Sequence, residues 1–268
     1  MAISTMDSLV AALGGTSSWK RWNITKGSIT TVAGAYFALW TAPGCPGAAA
    51  APAPGTAGEV PVDSTAGAFP FTNPGGGGYS YLSQFAASAS NPGTLYLYDR
   101  LWQNSGLSAT STSAQTITSP TALTRPDANG ADVELWMDII GAMGAGANNP
   151  TFEYTDQDGN TAQSGSIIGY SASAVIYRCF PSQLASGDTG IRAVTKWTNT
   201  VSMTSGTFSV VLRRKIAAIP LPLTGIGGAV DAILSGMPRI YDDAALELIY
   251  HAQTTSAVIN GTLSIAQG

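Results

Sequence analysis

The chain of 268 residues is poor in charge: only 10% of its residues are charged, and the formal net charge is −4. Nucleic-acid binding relies on basic surfaces that displace counterions, so we expect no direct contact with nucleic acid. The hydrophobic fraction of 44% is ordinary and argues against intrinsic disorder. Charge normally keeps a free monomer soluble, and its scarcity predicts that much of the surface packs against other subunits.

The first forty residues predict one helix followed by strands. Residues 4–13 can form a short helix that a Ser, Thr or Asp caps at its start and Gly14-Gly15 ends. Residues 24–40 collect β-branched and aromatic side chains, which favours one or two strands with a bend near Gly34. The opening residues lack the basic start and continuous apolar segment of a signal peptide, so we expect cytoplasmic synthesis without an export signal.

Residues 41–78 form the least regular part of the sequence, because proline interrupts every helix or central strand that starts there. A loop of this length without regular structure is usually functional or disordered. Two interpretations stay open. The segment is either a linker or mobile arm, or an extended arm that lies on a neighbouring subunit. In the second case its interface anchors are Val60, Phe69, Phe71 and Tyr79.

Strand signals dominate the middle of the chain. Residues 79–90 place apolar side chains near helical spacing and predict one to three helical turns, whereas residues 94–103 predict a strand. Residues 133–139 alternate between apolar side chains and Glu, Trp or Asp, which is typical of a strand with one dry face. Asp158-Gly159 lies between two strand-like runs and predicts a tight hairpin.

The last third of the sequence adds further strands and a glycine-rich stretch. Residues 220–237 are apolar, with a short helix predicted at residues 229–234, but Pro and Gly interrupt them and argue against a membrane helix. Asn260-Gly261 predicts a second hairpin turn. The other predicted strands are residues 167–180, 191–197, 200–203, 208–219 and 246–252.

Roughly ten strand candidates separated by turn residues predict a mainly β fold. We expect an antiparallel β-sandwich or jelly roll with long loops, an extended Pro/Gly-rich arm and one or two short helices. The predicted division is an N-terminal helix with the first strands at 1–40, the arm at 41–78, and a β-sandwich domain at 79–268. Residues 1–40 can also belong to the sandwich domain.

Residue types that carry chemistry are few and scattered, so we expect no enzyme, no cofactor and no metal site. His251 is the single histidine, and no Gly-x-Ser-x-Gly turn accompanies it, which favours a structural strand histidine. Two cysteines, Cys45 and Cys179, cannot supply an ordinary zinc site, and we expect a buried free thiol at Cys179. The basic run Arg213-Arg214-Lys215 is interpreted as a solvated strand end or a salt bridge to another subunit.

Two acidic patterns suggest alternatives that the sequence does not favour. The loop from Asp156 has the first residues of a calcium loop, but its twelfth position is Ile167, so turn chemistry is the better interpretation. Glu134 with Asp138, and Glu153 with Asp156, have the composition of a glycosidase carboxylate pair. Outward-facing acids on strands are far commoner than such pairs.

Three segments resemble those of structural proteins from tailed-bacteriophage virions. They are the opening MDSLVAAL, the run PGTLYLYDRLWQNSGLSATSTSAQTITSPTALTRPDANG, and the hairpin FEYTDQDGNTAQS. The resemblance covers roughly residues 94–166 together with the opening helix. It implies a virion component made in the bacterial cytoplasm, and it carries over no functional residues.

The preferred role is a capsid decoration or cement protein that stabilises the phage head through subunit–subunit contacts. We expect its partners to be other copies of itself, as a homotrimer, and the major capsid protein or other virion proteins, with no membrane contact. The segments 41–78 and 220–240 would bridge neighbouring subunits. The alternatives are a tail or baseplate protein, a receptor-binding module that grips glycans, and a polysaccharide hydrolase.

Overall fold

The computed structural model describes residues 3–120, 123–126 and 129–268, apart from the side chain of Thr56. Strands account for 47% of the chain and helix for 3%, and the sheets are antiparallel, so the predicted mainly β, sandwich or jelly-roll-like fold class is confirmed. In chain order the elements are α1 (Met6–Gly14), β1 (Trp19–Ile29), β2 (Ala35–Ala38), β3 (Gly44–Cys45), β4 (Gly55–Glu59), β5 (Ser80–Ala89), β6 (Gly93–Ser105), β7 (Leu107–Ser108), β8 (Gln115–Thr116), β9 (Val133–Gly141), β10 (Thr151–Asp156), β11 (Gln163–Ile167), β12 (Arg178–Gln183), β13 (Ile191–Thr198), β14 (Thr207–Leu221), β15 (Gly228–Asp231), β16 (Arg239–Ile240), β17 (Leu246–Ala252) and β18 (Ala257–Gln267).

Two compact units make up the fold, and each draws on separate stretches of the chain. Unit 1 consists of Met1–Ala49, Val62–Tyr98 and Ile216–Gly268, and unit 2 of Ala50–Pro61 and Asp99–Lys215. The chain therefore crosses between units after residues 49, 61, 98 and 215. The predicted division into 1–40, 41–78 and 79–268 followed chain order, whereas these units interleave along the chain.

A six-stranded sheet in unit 1 has the order β15-β5-β18-β1-β3, with β16 also pairing with β5. The last strand of the chain, β18, lies between β5 and β1. Leu263 of β18 pairs with Phe85, and Ile265 pairs with Leu82. All four side chains are fully buried. The register shifts between Ser264 and Ile265, which leaves one extra residue, Ser83, on β5.

Two local predictions are wrong on this sheet, for identifiable reasons. Residues 79–90 form β5 instead of helical turns, because the bulge puts Leu82 and Phe85, three positions apart, into the same buried layer. Asn260-Gly261 lies inside β18 instead of in a hairpin turn. A Cβ on residue 261 would lie 2.2 Å from the carbonyl oxygen of Ala86, so this glycine permits a close strand approach.

Helix α1 packs on unit 1 and confirms the predicted opening helix. Thr5 caps it: its Oγ1 accepts from the Ser8 backbone N–H at 3.1 Å, and Ser8 Oγ accepts from the Thr5 N–H at 3.0 Å. In the described part of the chain it is the one helix. The predicted helix at 229–234 is wrong, because β15 and a turn occupy those residues. The cluster under α1 consists of Ile3, Leu9, Ala12, Ala232 and Ala266.

Unit 2 surrounds an aromatic core. Strand β9 lies between β14 and β12, and the order continues through β11, β10, β13 and β8. The predicted hairpin at Asp158-Gly159 is confirmed, since it joins β10 to β11. The ring of Trp197 stacks on that of Phe152 with 6.3 Å between centroids and lies 4.8 Å from that of Phe208.

Strand β9 is where it was predicted, but it is dry on both faces. Val133, Leu135, Met137 and Ile139 are buried, and so are Trp136 and Asp138 on the opposite face. Arg213 of the neighbouring β14 is also fully buried. The expectation of one solvated face is therefore wrong, because a buried ion pair replaces the solvent there.

Two other predicted strand segments are loops. Most of residues 167–180 forms a loop, since Gly169, Ser173 and Tyr177 all have left-handed φ angles, which end a strand. Residues 200–203 are also irregular. The Asn148 side-chain oxygen accepts the N–H of Thr200 at 2.9 Å, so a side chain satisfies backbone there in place of a neighbouring strand.

Residues 41–78 do not extend away from the chain as an arm. Strand β3 pairs with β1 in unit 1, and β4 pairs with β6 in unit 2. The indole nitrogen of Trp102 donates to the carbonyl of Ala57 at 3.2 Å, and a Cβ on residue 58 would lie 2.4 Å from the carbonyl oxygen of Gln103. Proline limits the length of these strands, but hydrogen bonds hold the segment on its own chain.

Candidate functional site

The two acids on β9, Glu134 and Asp138, form contacts within their own chain. Both terminal nitrogens of Arg213 donate to the Asp138 carboxylate, at 2.9 and 2.5 Å, and both side chains are buried. The Glu134 carboxylate accepts from the indole nitrogen of Trp136 at 2.8 Å. These contacts remove both acids as glycosidase groups. They also correct the expectation that Arg213 lies at a solvated strand end or reaches another subunit.

The second acidic pair is engaged as well. Lys196 donates to Glu153 at 2.6 Å. The Asp156 carboxylate accepts from the backbone N–H groups of Asp158 and Asn160, at 2.9 and 2.8 Å, and from the Asn160 side chain at 2.7 Å. Desolvation opposes ionisation of Asp156, but these hydrogen bonds hold its pKa below the ordinary value. Turn chemistry accounts for the loop, and no group of three or more His, Cys, Asp or Glu in the described residues is arranged to hold a metal ion.

His251 and the aromatic residues show no feature of a reactive or sugar-binding site. The His251 ring stacks on Tyr36 of the paired strand, with 4.3 Å between centroids. Four of the six tryptophans are buried, namely Trp40, Trp102, Trp136 and Trp197. Among the described residues, Tyr79 is the one aromatic in the set of exposed large hydrophobic side chains. Clustered exposed Trp and Tyr, which a glycan-binding tip needs, are therefore not found in the described part.

One cation is buried in unit 1. Lys26 is fully buried, and its Nζ donates to the carbonyls of Ala42 and Pro46 at 3.0 and 2.7 Å. Desolvation lowers the pKa of Lys26 to about 8, against a smaller opposing effect from Cys45. Cys45 is half-buried and Cys179 is buried as expected, and neither forms a disulfide. Through these two hydrogen bonds the Lys26 ammonium holds residues 42–46 against β1, which is a structural role.

The structure separates the four predicted interface anchors. Phe69 and Phe71 are 0% and 8% exposed, so they belong to the core of their own chain and are wrong as anchors on a neighbour. Val60 and Tyr79 are exposed, in unit 2 and unit 1 respectively. The Tyr79 ring is covered on one side by the guanidinium of Arg239, 4.0 Å from its centroid. Of the four residues, only Val60 and Tyr79 are exposed for contact with a neighbour.

Unit 1 exposes aliphatic side chains at α1, at the turn before β15 (Leu223 and Ile226) and at the turn after β15. Met6 and Val10, one helical turn apart on α1, are 55% and 61% exposed. Ile233 and Leu234 are 68% and 76% exposed. We call these four residues the apolar ridge. A side chain of this kind is unfavourable in water, and a contiguous group of them marks an interaction surface.

Hydrogen bonds hold the turn of the apolar ridge in a defined shape. The Asp231 side chain accepts from the backbone N–H groups of Ile233 and Leu234, both at 2.9 Å. The Met237 N–H donates to the carbonyl of Ala232 at 2.9 Å. Ala232 belongs to the same buried cluster as Leu9 and Ala12 of α1, so the turn and the helix border one cluster.

The sequence contained signals for the apolar ridge. Apolar residues on α1 span a wider arc than one helix buries, because Met6 and Val10 both lie to one side of the buried Leu9 on the helical wheel. The bridging role predicted for 220–240 included Ile233 and Leu234. What sequence reasoning missed is that α1 and this segment meet, which depends on long-range packing.

Comparisons with known proteins give no family assignment. No family model matches the chain, and no curated protein matches it. Within the residues that the structure describes, no helix is long and apolar enough to span a bilayer.

Solved structures with some likeness include the infectious bursal disease virus VP2 subviral particle, at 6% identity, a TM-score of 0.17, and coverage of 93% of this chain and 80% of that chain. Another is T=1 particles derived from the same virus, at 8% identity, a TM-score of 0.19, and 93% and 78% coverage. A third is the human polyomavirus 6 VP1 pentamer, at 10% identity, a TM-score of 0.14, and 95% and 96% coverage. Similarities with TM-scores this low carry no argument about this chain.

Proposed function

We propose that the chain is a structural subunit of a bacteriophage virion, and specifically a decoration or cement protein on the capsid surface. The observation that carries the proposal is the apolar ridge, four aliphatic side chains held in water by a capped helix and a hydrogen-bonded turn. Exposed apolar side chains are unfavourable in water, and a subunit in an assembly removes them from water by burying them in a contact. The sequence resemblance to phage virion proteins supports the same role.

The proposed action is mechanical and needs no catalysis. Three of the four acids considered as catalytic groups, Asp138, Glu153 and Asp156, are engaged in ion pairs or a turn, which is consistent with a structural role. Buried ion pairs and an aromatic core support a rigid unit 2. Contacts between neighbouring copies, and between each copy and the major capsid protein, then repeat by symmetry and stabilise the shell. We propose a trimer as the repeating unit.

The test is to locate the chain in particles. Mass spectrometry of purified virions from cells that carry the gene should find many copies per particle, and immunogold labelling should mark the head. Particles made without the chain should release their DNA at a lower temperature, measured with a fluorescent DNA dye. Absence of the chain from purified particles would refute the proposal.

A tail, baseplate or receptor-binding position is the second candidate within the same class. Labelling at the tail tip, with unchanged heat release of DNA and reduced adsorption to cells, would identify that role. Glycan binding by the purified chain would support a receptor-binding module over a cement protein.

A further inference from the structure

The chain contains two Asn-Gly pairs, Asn129-Gly130 and Asn260-Gly261. In such a pair the backbone nitrogen of the glycine can attack the side-chain amide carbon of the asparagine, because glycine has no Cβ to hinder the approach. A fold permits this reaction where the asparagine side chain is reachable and the glycine nitrogen is not held in a hydrogen bond. The two pairs differ in both respects.

Asn260-Gly261 is protected by its place in the sheet of unit 1. Gly261 lies inside β18, opposite Ile24 of β1 and Ala87 of β5. In a strand that is paired on both sides, each backbone N–H donates to one of the two neighbours, so the Gly261 nitrogen is occupied. The strand has to open before Asn260 can react.

A related pair, Asp158-Gly159, is also protected. Aspartate can form the same ring with a following glycine, but the Gly159 N–H donates to the carbonyl of Asp156 at 3.2 Å. The hairpin turn therefore holds this nitrogen in place.

Asn129-Gly130 lacks both kinds of protection. The pair lies outside the strands, in the turn before β9, and Asn129 is exposed. The Asn129 Oδ1 accepts from the N–H of Ala131 at 3.4 Å, so the side chain bends over the intervening Gly130 peptide. Within the described part of the chain the Gly130 N–H donates no hydrogen bond. Gly130 is buried, and the N–H of a buried residue is rarely left without an acceptor.

The packing of unit 2 requires glycine at this position. Gly130 has a φ of +67°, which favours glycine. A Cβ on residue 130 would lie 2.2 Å from the carbonyl oxygen of Ile191. The fold therefore keeps after Asn129 the residue that makes the asparagine most reactive.

We propose that Asn129 is a site of spontaneous deamidation in the folded protein. The Gly130 N–H gives its proton to hydroxide, and the nitrogen lone pair forms a bond to Cγ of Asn129. The bond from Cγ to Nδ2 breaks, and Nδ2 takes up a proton and leaves as ammonia. Water then opens the resulting succinimide at either carbonyl carbon, adding its hydroxyl to that carbon and its proton to the ring nitrogen. The products are aspartate and iso-aspartate.

The modification changes the chain in two ways. Either product adds one negative charge to a chain whose formal net charge is −4. The iso-aspartyl product also adds one carbon to the main chain just before Gly130, whose carbonyl accepts from the N–H of Val133 at 3.2 Å. The reaction needs one copy of the chain and water, so the inference is independent of the proposed function.

Peptide mapping by mass spectrometry tests the proposal on the full chain, aged in neutral buffer at physiological temperature. Asn129 should convert about 10-fold faster than Asn260 or more, since Asn260 reacts only from the opened strand. Electron-transfer fragmentation should find both aspartate and iso-aspartate at residue 129. In urea, where neither site is protected, the two rates should become similar.

Two matched variants make the same test by charge. The acidic peak that ageing adds in ion-exchange chromatography should be absent from Asn129→Gln, because glutamine would have to form a larger ring, and should persist in Asn260→Gln. Circular dichroism melting checks that each variant folds. Equal rates at the two sites in the folded chain, or an acidic peak that survives in Asn129→Gln and disappears in Asn260→Gln, would overturn the inference.

Discussion

The buried lysine of unit 1 makes a pH-dependent contribution to stability that can be measured. Lys26 has no exposed surface, and its ammonium donates to the carbonyls of Ala42 and Pro46. Desolvation lowers its pKa from 10.5 to about 8. The perturbation is Lys26→Met, which keeps a similar length of chain and removes the charge and the donors.

The sign of the effect follows from the two pKa values. Below pH 8 the lysine is charged in both the folded and the unfolded chain, so the folded state carries the full cost of the buried charge. Between about pH 8 and 10.5 the folded state releases its proton first, so the free energy of unfolding rises with pH. The difference between the folded and unfolded pKa values of Lys26 corresponds to about 3 kcal/mol of unfolding free energy, at about 1.4 kcal/mol for each pH unit.

The variant itself should change stability little at pH 7. Lys26→Met removes the cost of the buried charge, but it leaves two carbonyls without their donor, at about 1–3 kcal/mol each. These opposing effects leave the net change within about 2 kcal/mol. The diagnostic quantity is the difference in unfolding free energy between wild type and variant, which should move by about 3 kcal/mol in favour of wild type between pH 7.5 and 10.5.

Urea denaturation followed by tryptophan fluorescence at several pH values measures this difference. Taking the difference cancels the contributions of groups that titrate independently of Lys26. Lys196→Met is the control, because Lys196 forms a half-exposed pair with Glu153 that should contribute at most about 1 kcal/mol. A wild-type-minus-variant difference that is flat from pH 7.5 to 10.5 would refute the reasoning.

Three further outcomes are expected from the structure. Asp138→Asn should lower the unfolding free energy by about 3–5 kcal/mol in urea melts, because it leaves buried Arg213 without a counter-charge; a change below about 1 kcal/mol would contradict a buried pair. Gly58→Ala should destabilise by about 2–4 kcal/mol in thermal melts, because its φ is +63° and the new Cβ would meet Gln103 and Trp102, and a neutral result would restore the free-arm interpretation. Desolvation and the hydrogen bond to Asp188 raise the pKa of Tyr154 to about 12. Tyr154→Phe should therefore remove the increase in absorbance that this tyrosine gives near pH 12, and should lower the free energy of unfolding by about 1–2 kcal/mol.

Strands were predictable where side chains alternate in size and polarity. Strand β17 has the predicted bounds, and β14 differs from its prediction by one or two residues at each end. Alternation reports the pleat directly. Residues 242–251 also have the pattern of a helix start, and the all-β setting of the sequence decided for a strand at 246–252. Even so, the pattern of β9 could not show that its polar face is also buried, because the partner charge, Arg213, is distant in sequence.

The failures have a different physical origin. Strand β5 was misread because a bulge at Ser83 replaces the two-residue period with a three-residue step. Gly261 was misread because close strand approach and tight turns both require glycine. The apolar ridge depends on packing between α1 and the turn at 232–237, more than two hundred residues apart in the chain, and the buried cation at Lys26 depends on residues 42–46 folding back over β1. Local pattern carries none of these contacts.

The central place of β18 in its sheet has a consequence for synthesis. Among the described strands it comes last in the sequence, yet β1 and β5 both pair with it along most of their length. Unit 2 is complete in sequence at Lys215 and can close earlier. A translation product interrupted before β18 therefore carries a finished unit 2 and a sheet in unit 1 that lacks its central strand, which proteases can recognise.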